Sequence, residues 1–235
     1  PRSGTTVLDR ILSNHSDVAS AGELNDFSNA ISWVADRFYD VPADEHTVQA
    51  IKNLDFYEVG AVYKQRTADR YAGKSYLIDK NPANFFNVGF IAKALPQARI
   101  ICLLRNPMDT CFSNFKELFS ENAFGYSYDL VELADHYVGF RRLVDHWQNI
   151  LGDRFHVVQY EDLVADPLRI SEEVMRFCGL PFQKECIDIT RNESPVSTAS
   201  SSQVRMPINT RGIGAWQKYA AQLQPLQTRL QTGLR

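Results

Sequence analysis

The sequence predicts an α/β fold, a P-loop-like parallel sheet flanked by helices in a three-layer α/β/α arrangement. Short apolar runs alternate with segments of helical apolar spacing along the chain. The chain has 235 residues, of which 44% are hydrophobic, and this is enough for one sizeable core. We therefore expect a single domain over residues 1–235.

The first six residues, PRSGTT at 1–6, predict an anion-binding turn at the start of a helix. Arg2 is basic, Gly4 lets the backbone approach a ligand, and the hydroxyls of Ser3, Thr5 and Thr6 precede apolar helical spacing. The alternative is an ordinary helix N-cap, since the full Walker spacing and its Gly-Lys ending are absent. A strand normally precedes such a turn, so we expect the first, central strand to be truncated.

Four further strands are predicted, at residues 17–21, 76–78, 98–104 and 155–160. The unbroken apolar run at 98–104 is typical of a strand buried on both faces of a parallel sheet. Helical spacing, first-turn prolines such as Pro107 and the Gly-then-Pro stop after Cys178 define the helices between them. These helices are expected after the first turn to about residue 15, and then at 27–38, 55–71, 84–95, 107–118, 128–151, 167–178 and from 215 onward, with a polar turn around residue 42.

Polar residues follow the predicted strands directly. Glu23, Lys80, Arg105 and Tyr160 each lie at or just beyond the carboxyl end of a strand. Ligands of parallel α/β sheets bind outside these ends. Each residue alone fits a surface charge or a packed ring equally well, so the evidence for a site is their convergence.

Composition excludes several classes. A net charge of −3 and a pI near 6.0 argue against general nucleic-acid binding. The four cysteines show no CxxC pairing, so we expect reduced, packed thiols and no metal site. No run approaches a membrane span and no signal peptide is visible, which predicts a cytoplasmic protein.

The segment 192–214 is rich in Ser, Thr, Gly and Pro and contains Arg205 and Arg211. A long irregular segment inside a compact domain is usually functional or disordered. The two arginines favour a loop that closes over an anion.

With these pieces in order, the sequence resembles the sulfotransferase superfamily, and within it bacterial proteins similar to tyrosylprotein sulfotransferases that often follow tetratricopeptide repeats. The likeness covers essentially the whole chain, and its most specific parts are PRSGTT and the pair Arg105 and Ser113. The matching segments are PRSGTT at 1–6, GEL at 22–24, IDKNP at 78–82, IICLLRNPMDTCFSNF at 100–115, YEDLVADP at 160–167, FCGLP at 177–181 and SSQVRMPINTRGIGAW at 201–216.

The resemblance implies 3′-phosphoadenosine 5′-phosphosulfate (PAPS) as sulfuryl donor, 3′-phosphoadenosine 5′-phosphate (PAP) as product, no metal, and a hydroxyl-bearing acceptor. It implies that the PRSGTT turn holds the 5′-phosphosulfate and that Arg2 contacts it and stabilises the leaving group. Arg105 and Ser113 match the pair that grips the 3′-phosphate. Tyr160 matches a nucleotide-contacting tyrosine.

The same resemblance implies that Glu23 is the general base and that Lys80 is the catalytic lysine. Ser201 matches a serine near the transferring group, and Arg211-Gly212 is similar to a 3′-phosphate-binding segment. One departure is Ala215, which stands where related enzymes have a basic residue. Either that contact is missing, or Arg211 or Arg205 supplies it.

Two other functions stay open. A P-loop nucleotide kinase would share the turn and sheet, but it requires a lysine in the turn. A degenerate sulfotransferase would bind nucleotide without turnover. The acceptor is a peptide tyrosine or a small molecule, and a homodimer and upstream repeats remain open expectations.

Overall fold

The structure, a computed structural model, describes residues 1–119, 121–192 and 206–234. It confirms the α/β fold, with parallel strands and flanking helices. Two strand pairs form, β1 (Val18–Ser20) with β2 (Tyr76–Ile78), and β3 (Ile100–Leu104) with β4 (Phe155–Gln159). β1 and β2 run parallel, with Val18 opposite Tyr76 and Ser20 opposite Ile78.

Contacts divide the chain into two compact units. Unit 1 comprises residues 1–14 and 101–235, and unit 2 comprises residues 15–100. A single domain over residues 1–235 stays a prediction.

Unit 2 contains β1, β2 and four α-helices, which are α2 (Asp26–Ala35), α3 (Glu45–Ile51), α4 (Phe56–Thr67) and α5 (Val88–Ala94). Its core is formed by buried apolar side chains of these helices, among them Phe27, Ile31, Ile51 and Val59. Gly60 is required where α4 meets α5, because a Cβ there would overlap the carbonyl of Ala94.

The described residues of unit 1 contain β3, β4 and six α-helices, which are α1 (Thr5–Ser13), α6 (Pro107–Phe115), α7 (Leu130–Leu151), α8 (Tyr160–Ala165), α9 (Pro167–Cys178) and α10 (Gln224–Gly233). Side-chain caps fix several starts. Asp129 accepts hydrogen bonds from the amides of Val131 and Glu132 to begin α7, and Asn106 caps α6 ahead of Pro107, since a capping oxygen satisfies amides that lack a partner in the first turn. Helices α6, α7 and α10 enclose one cluster of buried apolar side chains in this unit.

The structure differs from the predicted elements in several places, and the helix expected at 84–95 is a 3₁₀ segment at Pro82–Phe86 followed by α5. The turn around Pro42 is followed by α3, whose cap Asp44 accepts from the amide of Thr47. Tyr160 begins α8 and does not end a strand. The final helix opens as a 3₁₀ segment at Ala215–Tyr219 before α10. Short helices are hard to predict because they span too few residues for an apolar period to emerge.

No helix within residues 1–119, 121–192 and 206–234 is both long enough and apolar enough to cross a membrane.

Candidate active site

The chain turns at residues 1–4 and α1 begins at Thr5, and the geometry of this predicted anion turn requires glycine. Gly4 is the N-cap residue with φ +98°, in the left-handed region that glycine adopts at least cost. A Cβ on Gly4 would overlap the ring of Tyr160. The N-cap therefore carries no capping side chain, and the positive end of the helix dipole lies at a residue with no bulk.

The side chain of Arg2 is largely buried beside this turn. Its side chain is 9% exposed, its Nε donates to Ser113 Oγ at 3.1 Å, and its Nη1 lies 3.7 Å from Glu117 Oε2. Burial lowers the pKa of Arg2, Glu117 opposes that shift, and Arg105 adds to it. The resemblance assigns Arg2 to the 5′-phosphosulfate and Ser113 to the 3′-phosphate, and the two side chains are in direct contact.

Arg105 links three segments at the end of β3. Its Nη1 donates to the carbonyl of Arg2 at 3.2 Å and its Nη2 to the carbonyl of Gly212 at 2.5 Å. Its guanidinium carbon lies 4.8 Å from the ring centroid of Tyr160, a cation–π contact. Both bonds go to neutral carbonyls, which leaves the positive charge of this guanidinium available to an anion.

A cavity of about 420 Å³ opens beside Arg105 at the ends of β3 and β4. Tyr137, Gln159 and Trp216 are among the residues that line it. The Tyr137 hydroxyl donates to the carbonyl of Arg105 at 2.9 Å and so fixes the backbone of that residue. Aromatic and polar side chains are typical of sites for organic ligands, and the lining also includes the carboxylates of Asp109 and Glu161.

Glu23 and Lys80 form an ion pair in unit 2. Because β1 and β2 are parallel, the loops that follow them leave from the same edge, and Lys80 Nζ donates to Glu23 Oε1. The lysine side chain is 9% exposed and the glutamate side chain 38%. The pair therefore combines a largely buried ammonium with a carboxylate that solvent can reach.

The remaining predicted site residues are placed as follows. Ser3 and Thr5 are half-buried, and Thr6 is buried at 5% exposure. Arg211 is exposed, and its amide donates to Asn209 Oδ1 at 3.2 Å. The expectation for Ser201 falls outside the described residues, as does that for Arg205.

Two contacts of the site were not foreseen from the sequence. Glu117, the ion-pair partner of Arg2, lies just beyond the C-terminal end of α6, the helix that carries Ser113, so no helical spacing indicated this contact. Asp109 is 3% exposed and accepts from the amide of Gly214 at 2.9 Å. No local pattern indicated that second contact, because its partners are 105 residues apart.

Comparison with known proteins gives a consistent result. A sequence profile described as "Sulfotransferase family" matches residues 1–184. An uncharacterized protein of Aquifex aeolicus is 29% identical over all of this chain and 32% of its own length. Protein-tyrosine sulfotransferase 1 of Danio rerio is 23% identical over 92% of this chain and 63% of its own length. The chain thus spans between about a third and two thirds of these relatives.

Solved structures agree on the fold. The sulfotransferase domain of the Synechococcus PCC 7002 olefin synthase superposes with a TM-score of 0.67 at 20% identity, covering 100% of this chain and 92% of that domain. Mouse sulfotransferase SULT7A1, solved in complex with PAP, superposes with a TM-score of 0.52 at 15% identity, covering 100% of this chain and 81% of the mouse chain.

Proposed function

Because this chain belongs to the sulfotransferase family, we propose that it transfers a sulfuryl group from PAPS to a hydroxyl acceptor. The observation that carries the proposal is the cluster in unit 1 where Arg105 contacts both the anion turn and the Gly212 segment. A nucleotide with phosphates at two positions requires cationic and amide donors at two points. The presence of PAP in the mouse neighbour supports the same donor.

In this proposal the turn residues Ser3, Gly4, Thr5 and Thr6 hold the 5′-phosphosulfate with amides and hydroxyls at the start of α1. Arg2 adds a buried positive charge there. Arg105 and Ser113 hold the 3′-phosphate. A planar guanidinium gives an oxyanion two parallel hydrogen bonds, which is why arginine suits this position.

Three further groups complete the donor site in the proposal. Tyr160 packs against Gly4 and under Arg105 and contacts the nucleotide. Arg211 and Gly212 close over the 3′-phosphate, and Arg211 takes the place of the basic residue that Ala215 does not supply. Ser201 assists near the transferring group.

Glu23 and Lys80 carry out the transfer step in this proposal. The acceptor oxygen forms a bond to sulfur while the bond between sulfur and the phosphate oxygen breaks, and its electron pair leaves with PAP. Glu23 takes the acceptor proton. Lys80, together with Arg2, stabilises the negative charge that develops on the departing phosphate.

The test of this function is a transfer assay with PAPS carrying ³⁵S in its sulfuryl group. The acceptors are a tyrosine peptide, 4-nitrophenol and a monosaccharide, and the tyrosine peptide comes first because of the zebrafish relative. We expect one labelled product and one PAP released per transfer. PAP binding without transfer to any acceptor would identify a degenerate binding module, and phosphoryl transfer from ATP would identify a kinase.

We expect Arg105→Ala to weaken PAP binding by about 100-fold, since a charge-assisted bidentate contact is lost. Calorimetry should show that AMP, which lacks the 3′-phosphate, loses much less affinity. Arg141→Ala is the matched control, because Arg141 lines the same cavity but pairs with Asp145 at 3.0 Å. Equal losses for PAP and AMP would contradict the assignment of Arg105 to the 3′-phosphate.

A further inference from the structure

Asp79 directly precedes Lys80 in the loop that follows β2, and its carboxylate also interacts with the loop that carries Glu23. We propose that Asp79 is a positioning residue, whose carboxylate sets the placement of the Glu23–Lys80 pair by joining those loops to α4. This inference rests on the proposed function, in which that pair performs the transfer step. The sequence indicated a role for Lys80 but none for Asp79, the residue before it.

Four donors from different segments converge on the carboxylate of Asp79. The hydroxyl of Tyr63 on α4 donates to Oδ2 at 3.0 Å, and Nδ2 of Asn84 donates to Oδ1 at 3.2 Å. Interaction with the backbone amides of Leu24 and Asn81 also lowers the pKa of this carboxylate. One of these amides directly follows Glu23 in sequence and the other directly follows Lys80, so the carboxylate contacts both loops next to the functional side chains.

The same two loops are also joined to each other. The Lys80 amide donates to the carbonyl of Gly22 at 2.8 Å. Nδ2 of Asn81 donates to the carbonyl of Leu24 at 2.8 Å and lies 3.2 Å from Oδ1 of Asn25. Asp79 is the member of this network that extends it beyond the loops, to the buried ring of Tyr63.

Tyr63 provides a rigid anchor. Its side chain is 9% exposed and belongs to the core of unit 2, and its ring packs edge-to-face on Phe27 with centroids 5.7 Å apart. Burial, and then the Asp79 carboxylate, raises the pKa of Tyr63, so the hydroxyl remains a donor at neutral pH. The hydrogen bond from Tyr63 to Asp79 therefore connects the two loops to a ring that is packed in the core.

Burial destabilises the charged Asp79 carboxylate, and its hydrogen bonds offset this effect. Burial raises the pKa of Asp79 to about 6, and hydrogen bonds from Tyr63, Asn81, Leu24 and Asn84 oppose this rise. Removing one donor leaves a partly buried carboxylate oxygen short of a partner, which costs free energy. The carboxylate then turns toward other donors, and the attached loops move with it.

The decisive comparison is between Tyr63→Phe and Tyr39→Phe. Tyr39 is also a buried tyrosine of unit 2, 3% exposed, and its hydroxyl donates to Asn87 Oδ1 at 2.7 Å, but it does not contact Asp79. We expect both variants to lose similar thermal stability. We expect kcat of Tyr63→Phe to fall about tenfold, because small misplacements of catalytic groups cost up to about 100-fold, with KM for PAPS unchanged. Tyr39→Phe should keep the wild-type kcat.

Asp79→Asn is the second variant, and its kcat should fall at least as far as that of Tyr63→Phe. The double variant should lose less than the product of the two single effects, because both act through one contact. Equal kcat for Tyr63→Phe and Tyr39→Phe, or independent effects in the double variant, would overturn the inference.

Amide hydrogen exchange of the full chain separates this inference from the proposed function. Segments 22–25 and 79–82 should exchange faster in Tyr63→Phe than in Tyr39→Phe, whether or not any acceptor is sulfated. If the wild-type chain transfers no label from PAPS to any acceptor, the proposed function fails and the exchange result still decides whether Asp79 joins the loops. Unchanged exchange in Tyr63→Phe would refute that role.

Discussion

Lys80→Met is expected to lower kcat by about 100- to 1000-fold, the loss typical when one donor to a developing negative charge is removed. PAP affinity should change little, because the effect appears only when the phosphate departs. Glu23→Gln should likewise lower kcat more than it lowers PAP affinity, since an amide cannot take the proton from the acceptor hydroxyl. Steady-state rates with labelled PAPS, measured beside calorimetry with PAP, check both variants.

Lys74→Met is the control for this experiment. Lys74 lies in the same unit, is exposed, and its Nζ donates to the carbonyl of Ser16 at 2.5 Å, so the same substitution there removes an equal charge without touching Glu23. It should retain the wild-type kcat. Parallel losses of rate and PAP affinity in Lys80→Met and Glu23→Gln would show that these residues bind the nucleotide and do not act on the transfer step.

Gly4→Ala is expected to produce the largest loss of stability, about 3 kcal/mol or more, from backbone strain combined with a steric overlap. The new methyl group would meet the ring of Tyr160. Moving that ring also displaces the Arg105 guanidinium that lies over it, so PAP affinity should fall together with stability. Urea unfolding and PAP calorimetry measure the two effects.

Gly179→Ala is the control that separates the cost of backbone strain from the cost of steric overlap. Gly179 is in the same unit with φ +74° at the C-terminal end of α9, and a Cβ there meets nothing within 4 Å. We expect this variant to lose only about 1 kcal/mol, the cost of a left-handed alanine, with PAP affinity unchanged. If Gly4→Ala were no more destabilising than Gly179→Ala, the close contact between the turn and Tyr160 would add nothing to the loss of stability.

The predictions that succeeded depend on local rules. The turn at 1–6 and the start of α1 follow from a glycine before helical apolar spacing, and Pro107 behind Asn106 predicts the start of α6. Strand β3 was visible as an apolar run. The cap at Asp44 could have predicted α3, but a helix of 7 residues is too short to show a clear period.

Local rules of this kind could not predict which residues contact the site residues. The sequence indicated Arg105 by its position after a strand, but its bonds to the carbonyls of Arg2 and Gly212 join residues 103 and 107 positions apart. Both acceptors are backbone atoms, which every residue type offers. Side-chain identity therefore carries no information about these two contacts.

The sequence alone determined which local elements and which functional side chains this protein has. It supplied the α/β alternation, the glycine turn, and the arginines, glutamate and lysine that follow the strands, because these depend on residue type and on neighbours a few positions away. Only the tertiary structure decided that Arg2 pairs with Ser113 and Glu117, and that Asp79 joins the loops of Glu23 and Lys80 to Tyr63. Those contacts arise when packing brings distant segments within hydrogen-bond distance, and a hydrogen bond is directional and short in range.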